Sequence, residues 1–156
     1  AEDGIRDGLV RLVGSEMCIR DSLQLLPDDC RRAVEKAVTS TASNTGLNLV
    51  LALSYGSREE IVDAAQSLAA DAAAGTLDPG SIDCRLFASR LSTAPFPDPD
   101  LLIRSSGELR LSNFLLWQIS YAEIFITPKY WPEFKKTDLI EAVEDYSRRH
   151  RRFGAV

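Results

Sequence analysis

Residues 47–75 read LNLVLALSYGSREEIVDAAQSLAADAAAG, and this stretch decides the fold class. Leu47 to Ser54 is short and nearly continuously apolar, as a strand buried on both faces should be. Tyr55-Gly56-Ser57 is a tight turn. A helix is expected from Arg58 to about Ala74, with Ser57 as its cap and Glu60 three positions on. Ile61, Ala65, Leu68, Ala69 and Ala72 share one face of it, and Gly75 ends it. Strand, turn and capped helix make half of a βαβ unit.

Working outward, Pro27 to about Ser43 predicts a helix with Asp28 and Asp29 at its positive end and an apolar stripe of Ala33, Val34, Ala37 and Val38. Asn44-Thr45-Gly46 stops it. On the other side, Asp78-Pro79-Gly80 is a turn and Ile82 to Leu91 a further helix. Alternating prolines at 95, 97 and 99 exclude a helix there. Asp100 to Ser105 reads as a second strand. Asn113 to about Tyr121 is apolar almost all round and predicts a buried or interface helix. A third strand covers 123–127, and Asp138 to Arg151 is an amphipathic helix with Leu139, Ala142, Val143 and Tyr146 inward. The expectation is an α/β fold with a mostly parallel sheet flanked by helices, its three strands neighbours in one layer.

Composition excludes several classes. Of 156 residues, 45% are hydrophobic and 26% charged, as in an ordinary globular domain. No apolar run reaches the roughly 18 residues of a membrane span, and no secretory h-region is visible. Cys18, Cys30 and Cys84 are odd in number without CxxC spacing, which argues against disulfides or zinc and for a reducing cytoplasm. With 18 basic and 23 acidic residues, a nucleic-acid footprint over the whole surface is not expected. Arg148, Arg149, Arg151 and Arg152 nevertheless crowd around His150, the single histidine, at the C-terminus. His150 there suits the helix dipole better than base catalysis.

Residues 1–22 read differently from the rest. Ile-Arg-Asp occurs at 5–7 and again at 19–21 without periodic surroundings, and Met17 to Ser22 resembles the translation of a transposase end used in sequencing libraries. This segment is taken as non-native and adapter-derived, and 23–156 as the credible domain. That domain carries 15 basic and 18 acidic residues.

Chemistry concentrates after the second strand, where open parallel sheets bind ligands. Residues 104–113 read RSSGELRLSN. Arginine forks match phosphate oxygens, and free N–H groups at a helix start add donors. Two readings stand for each residue: Arg104 and Arg110 as phosphate ligands or as partners of Glu108, and Ser112 as ligand or as helix N-cap. Glu123 is a solvated strand end or, beside a phosphate, a carboxylate for Mg²⁺. The sequence contains no Walker loop or GxGxxG motif and no Ser/His/Asp order.

Asp100 to Phe125, DLLIRSSGELRLSNFLLWQISYAEIF, closely resembles the C-terminal signature of the cis-prenyltransferases, the isoprenyl transferase family of undecaprenyl diphosphate synthase. Asn44-Thr45-Gly46, Tyr55-Gly56-Ser57-Arg58, Trp131-Pro132-Glu133-Phe134 and Arg151-Arg152-Phe153-Gly154 resemble flanking family segments. The resemblance implies an undecaprenyl diphosphate synthase-like fold lacking its N-terminal part. It also implies a homodimeric, cytoplasmic or membrane-peripheral transferase. Such an enzyme condenses isopentenyl diphosphate with an allylic diphosphate such as farnesyl diphosphate, with Mg²⁺, into a cis-polyprenyl diphosphate that serves as a membrane lipid carrier. By position, Arg104, Arg110, Leu111 (through its backbone) and Ser112 would hold isopentenyl diphosphate, and Glu123 would ligate Mg²⁺. Leu109 stands where some members have histidine.

The family's Asp-Gly-Asn-Gly-Arg-Trp loop, which carries its essential aspartate, is absent from these 156 residues, as is its Ser-Glu-Asn-Trp-type segment. No catalytic residue is therefore assigned. The expectation is a truncated, inactive C-terminal piece of the enzyme. The alternatives are a non-catalytic partner subunit of the same family, or an unrelated phosphate-binding α/β domain.

Overall fold

The structure, a computed structural model, describes residues 27–53 and 55–149. The reading of 1–22 as a separate segment, Cys18, and the His150, Arg151 and Arg152 cluster lie outside the described residues. The chain divides into two compact units, Ala1–Tyr55 and Gly56–Val156.

In the first unit, α1 spans Asp28–Thr41 with Pro27 at its N-cap. Val34 and Thr41 are buried and Ala37 and Val38 half-buried, so the inward stripe follows the 3.6-residue period; Ala33 is exposed. The expected strand at 47–53 has no assigned strand among the described residues. Leu49, Leu51 and Leu53 are half-buried while Val50 and Ala52 are exposed. The segment keeps a strand's alternation without a ladder: backbone hydrogen bonding to a neighbour defines a strand, and apolar sequence alone does not supply one.

In the second unit, α2 (Ser57–Ala73) ends at Gly75, whose φ of 73° is the left-handed conformation that glycine adopts freely. Thr76 N–H closes the end on Asp71 O at 3.0 Å. The buried face of α2 is Ser57, Glu60, Ala64 and Leu68, with Ala65 and Ala69 exposed. That stripe is rotated from the expected one, with the polar residues Ser57 and Glu60 turned inward beside Ala64 and Leu68. The helix expected over 82–91 shrinks to α3, Cys84–Ala88, preceded by a 3₁₀ turn at Pro79–Ser81. Asp83 caps α3 by accepting from Leu86 N–H at 2.7 Å. Helices α2 and α3 pack together.

Strands β1 (Leu101–Arg104) and β2 (Glu123–Ile126) pair in parallel, Leu101 opposite Glu123 and Arg104 opposite Ile126. Among the described residues the sheet has these two strands. Helix α4 (Lys136–Arg148) packs on β2. Its buried residues are Asp138 and Ala142, whereas Leu139 and Val143, expected inward, are 47% and 50% exposed. Asp138 is drawn in because it accepts from Lys135 N–H at 2.7 Å and pairs with Lys129 Nζ. That turn of the helix is thereby set by polar bonds.

The expected helix over 113–121 is a chain of turns. Ser112, Asn113 and Leu115 have φ of 51°, 61° and 46°, values that a right-handed helix of L-residues cannot contain. The apolar run is satisfied differently. Ile119 is buried, Trp117 lies against Phe87 with ring centroids 4.5 Å apart, and Phe114 stays 37% exposed.

Candidate functional site

The loop after β1 is built by two consecutive left-handed residues, Ser106 and Gly107 (φ 69° and 66°). Their N–H groups donate to Lys129 O and Thr127 O, each at 2.8 Å, so the loop is pinned to the chain leaving β2. This fold-back brings Arg104, the last residue of β1, to the same carboxylate as Arg110. Arg104 Nη2 donates to Glu108 Oε2, and Arg110 Nη2 to Glu108 Oε1. The hydrogen bond from Arg104, with both guanidinium charges, holds the Glu108 carboxyl below its ordinary range. Arg104 Nε is buried without a hydrogen-bond partner. Arg110 is the more open of the two, its side chain 65% exposed against 31% for Arg104.

Leu102, Ile124 and Ile126 extend from the same sheet face as Arg104. With Glu108, Leu109, Arg110 and Leu111 they line a shallow cavity of about 140 Å³. Cationic groups thus stand at the rim of an apolar depression, an arrangement suited to an anionic head on an apolar body. Ser112 is exposed in the left-handed region at the loop's end, and no helix follows for it to cap.

Sequence reasoning missed what holds this loop. Asn113 supplies the cap of α2 from 55 residues away. Its Oδ1 accepts from Arg58 N–H at 2.9 Å, and its carbonyl accepts from Ser57 N–H at 2.9 Å. Ser57 is therefore not the cap that its spacing to Glu60 suggested; its hydroxyl accepts from Leu116 N–H at 2.9 Å. Glycine at 56 permits the approach, since a Cβ there would fall 2.9 Å from Asn113 Nδ2. Glu60, 5% exposed, accepts from Ser92 N–H at 2.8 Å, from the Ser92 hydroxyl, and from Gln118 Nε2 at 3.1 Å. The Ser-Asn pair ahead of an apolar run was the available signal, because asparagine tolerates positive φ.

Glu123 stands apart from the arginines. Along the parallel ladder it is level with Leu101, three residues or about 10 Å before the level of Arg104. Alternation also places it on the opposite face from Arg104. Its Oε2 accepts from Arg149 Nη1 at 2.8 Å, and Arg149 also bonds Ile124 O and Asp145. The Glu123 carboxylate, then Asp145, pushes the Arg149 guanidinium above its ordinary range. Among the described residues no three His, Cys, Asp or Glu side chains group to hold a metal. One carboxylate shared with an arginine does not by itself fit Mg²⁺, which prefers near-octahedral oxygen donors.

A family model described as "Putative undecaprenyl diphosphate synthase" matches residues 7–154. The chain belongs to this family. It is 56% identical over 131 residues to the isoprenyl transferase of Brucella suis biovar 1 (strain 1330), covering 84% of this chain and 52% of that protein. It is 48% identical over 147 residues to that of Agrobacterium fabrum (strain C58 / ATCC 33970), covering 94% and 57%. Lavandulyl diphosphate synthase from Lavandula x intermedia, solved in complex with dimethylallyl diphosphate, superposes with a TM-score of 0.89 at 38% identity, over 99% of this chain and 68% of that one. The chain spans about half the length of the curated relatives it matches. Its fold is that of the undecaprenyl diphosphate synthases, and among the described residues no helix is long and apolar enough to cross a membrane.

Proposed function

We propose that this chain carries the isopentenyl diphosphate grip of a cis-prenyltransferase, the enzyme that condenses isopentenyl diphosphate with an allylic diphosphate such as farnesyl diphosphate. The observation that carries the reading is the convergence of Arg104 and Arg110 on Glu108 at the rim of the apolar depression. Two guanidinium forks offer charge-assisted bonds to a diphosphate, and the depression takes the beginning of an isoprenoid. The Ser112 hydroxyl and the Leu111 backbone at the same loop are the further groups assigned to that diphosphate. Glu123 is assigned to Mg²⁺ on the resemblance alone, and needs donors beyond those the described residues assemble. Homodimerisation is proposed through the apolar run of 113–127, where Phe114 is exposed, Leu115, Leu116 and Trp117 are half-buried and Ile119 is buried.

The 156 residues contain no Asp-Gly-Asn-Gly-Arg-Trp loop, and by themselves they are proposed not to transfer prenyl groups. Residues 1–22 are proposed, on the character of their sequence, to be foreign to the domain; the family match from residue 7 overlaps them. The genomic sequence ahead of the Leu23 codon decides that point. The functional test is radiolabelled isopentenyl diphosphate with farnesyl diphosphate and Mg²⁺. No extended product is expected from the chain alone, with product after fusion to a relative's N-terminal half. Extension by the chain alone, or none after fusion, would refute the reading.

A further inference from the structure

Arg104 and Arg110 would repel one another if they faced an empty rim. Each instead meets a different oxygen of one carboxylate, Arg104 on Glu108 Oε2 and Arg110 on Oε1. The carboxylate is fixed from behind, because Gly107 is held by Thr127 O and Ser106 by Lys129 O, both at 2.8 Å. Glu108 therefore sits between the two cations in the place an anionic ligand would take. An incoming anion must do better than Glu108 at both arginines together.

On the strength of the diphosphate reading above, we propose that Glu108 is a specificity-determining residue that sets the site's preference for a diphosphate over a monophosphate. A diphosphate presents two linked phosphoryl groups and can replace both oxygens of Glu108 at once. A monophosphate that captures one arginine leaves the other still paired to the carboxylate, which then stands beside the new anion and repels it. The carboxylate thus costs the smaller anion more than the larger one. It also keeps the two guanidinia at a common spacing before any ligand arrives, and such preorganisation lowers the cost of binding.

The test is calorimetric titration of the 156-residue chain with inorganic pyrophosphate and with orthophosphate, in wild type, Glu108→Gln and Glu108→Asp. Wild type should bind pyrophosphate more tightly. In Glu108→Gln the affinity for orthophosphate should rise relative to pyrophosphate, narrowing the ratio about fivefold, the scale of a partly exposed charge pair. Glu108→Asp keeps the charge but is one methylene too short to span both arginines, and should narrow the ratio by less. A ratio unchanged or widened in both variants would overturn the proposal. The double variant Arg104→Ala/Arg110→Ala separates the two levels. If wild type binds no pyrophosphate, or the double variant binds it equally well, the site reading and this proposal fail together. If the double variant loses pyrophosphate while the Glu108 variants keep the wild-type ratio, this proposal alone fails.

Discussion

Replacing Asn113 separates two physical contributions that the structure joins in one residue. The side chain caps α2 through the 2.9 Å bond from Arg58 N–H, and the backbone sits at φ 61°. Losing an N-cap side chain costs about 1 kcal/mol. An alanine forced into the left-handed region costs about 1 kcal/mol more, which asparagine partly avoids and glycine avoids altogether. Asn113→Ala should therefore destabilise the chain by about 2 kcal/mol and Asn113→Gly by about 1 kcal/mol. In both variants the carbonyl still accepts from Ser57 N–H, so the loop keeps its backbone tether. Asn113→Asp retains the acceptor but loses the 2.9 Å bond from Nδ2 to Glu59 and sets two carboxylates together. It should fall between wild type and alanine. Urea denaturation followed by tryptophan fluorescence reads all three, since Trp117 lies beside Phe87 within the same unit. Alanine no more harmful than glycine would refute the claim that left-handed geometry is built into this loop.

Other outcomes follow from the same contacts. Glu60→Gln keeps one acceptor oxygen but sets an amide NH₂ against either the Ser92 N–H or Gln118 Nε2, and should cost about 2 kcal/mol in the same assay, the scale of an unsatisfied buried polar group. The hydrogen bond from Lys129, then that from Lys135 N–H, holds the Asp138 carboxyl below its ordinary 3.8. Its contribution is present above that value and lost as pH falls through the folded pKa; an acid titration by circular dichroism should show Asp138→Asn flattening this decline. In the homodimer proposed above, Phe114→Glu should weaken self-association about tenfold in sedimentation velocity, since a charge would enter an apolar contact; self-association unchanged by the substitution would remove residue 114 from the proposed interface.

The strands β1 and β2 were legible because each is a short apolar run with turn residues on either side; their parallel pairing was expected through a helix over 113–121, and the structure makes the same connection with turns. The arginine loop was legible from residue type alone, and one of its two open readings, the pairing with Glu108, is realised in the structure. The run 113–121 was misread because apolar content says how much will be buried, not which backbone will bury it. Left-handed residues at Asn113 and Leu115, with Ser112 just before them, change the answer without changing hydrophobicity. Leu139 and Val143 were placed inward by period, whereas the polar bonds of Asp138 set that helical turn. Segment 47–53 shows the converse limit, for its apolar pattern describes a strand while a ladder depends on another segment. Glu123 is close to Arg110 in sequence, yet strand register carries it to the far end of β2, where Arg149 takes it.

The central claim is that the loop from Arg104 to Ser112 grips a diphosphate. Calorimetric titration of the purified chain with isopentenyl diphosphate tests it most directly, with Arg104→Ala, Arg110→Ala and Ser112→Ala beside wild type. Saturable binding is expected, weakened at least tenfold by either arginine change and less by the serine change, because bonds to charged groups contribute about 1.5–3 kcal/mol. Binding that survives both arginine substitutions undiminished, or no binding by wild type, would contradict it.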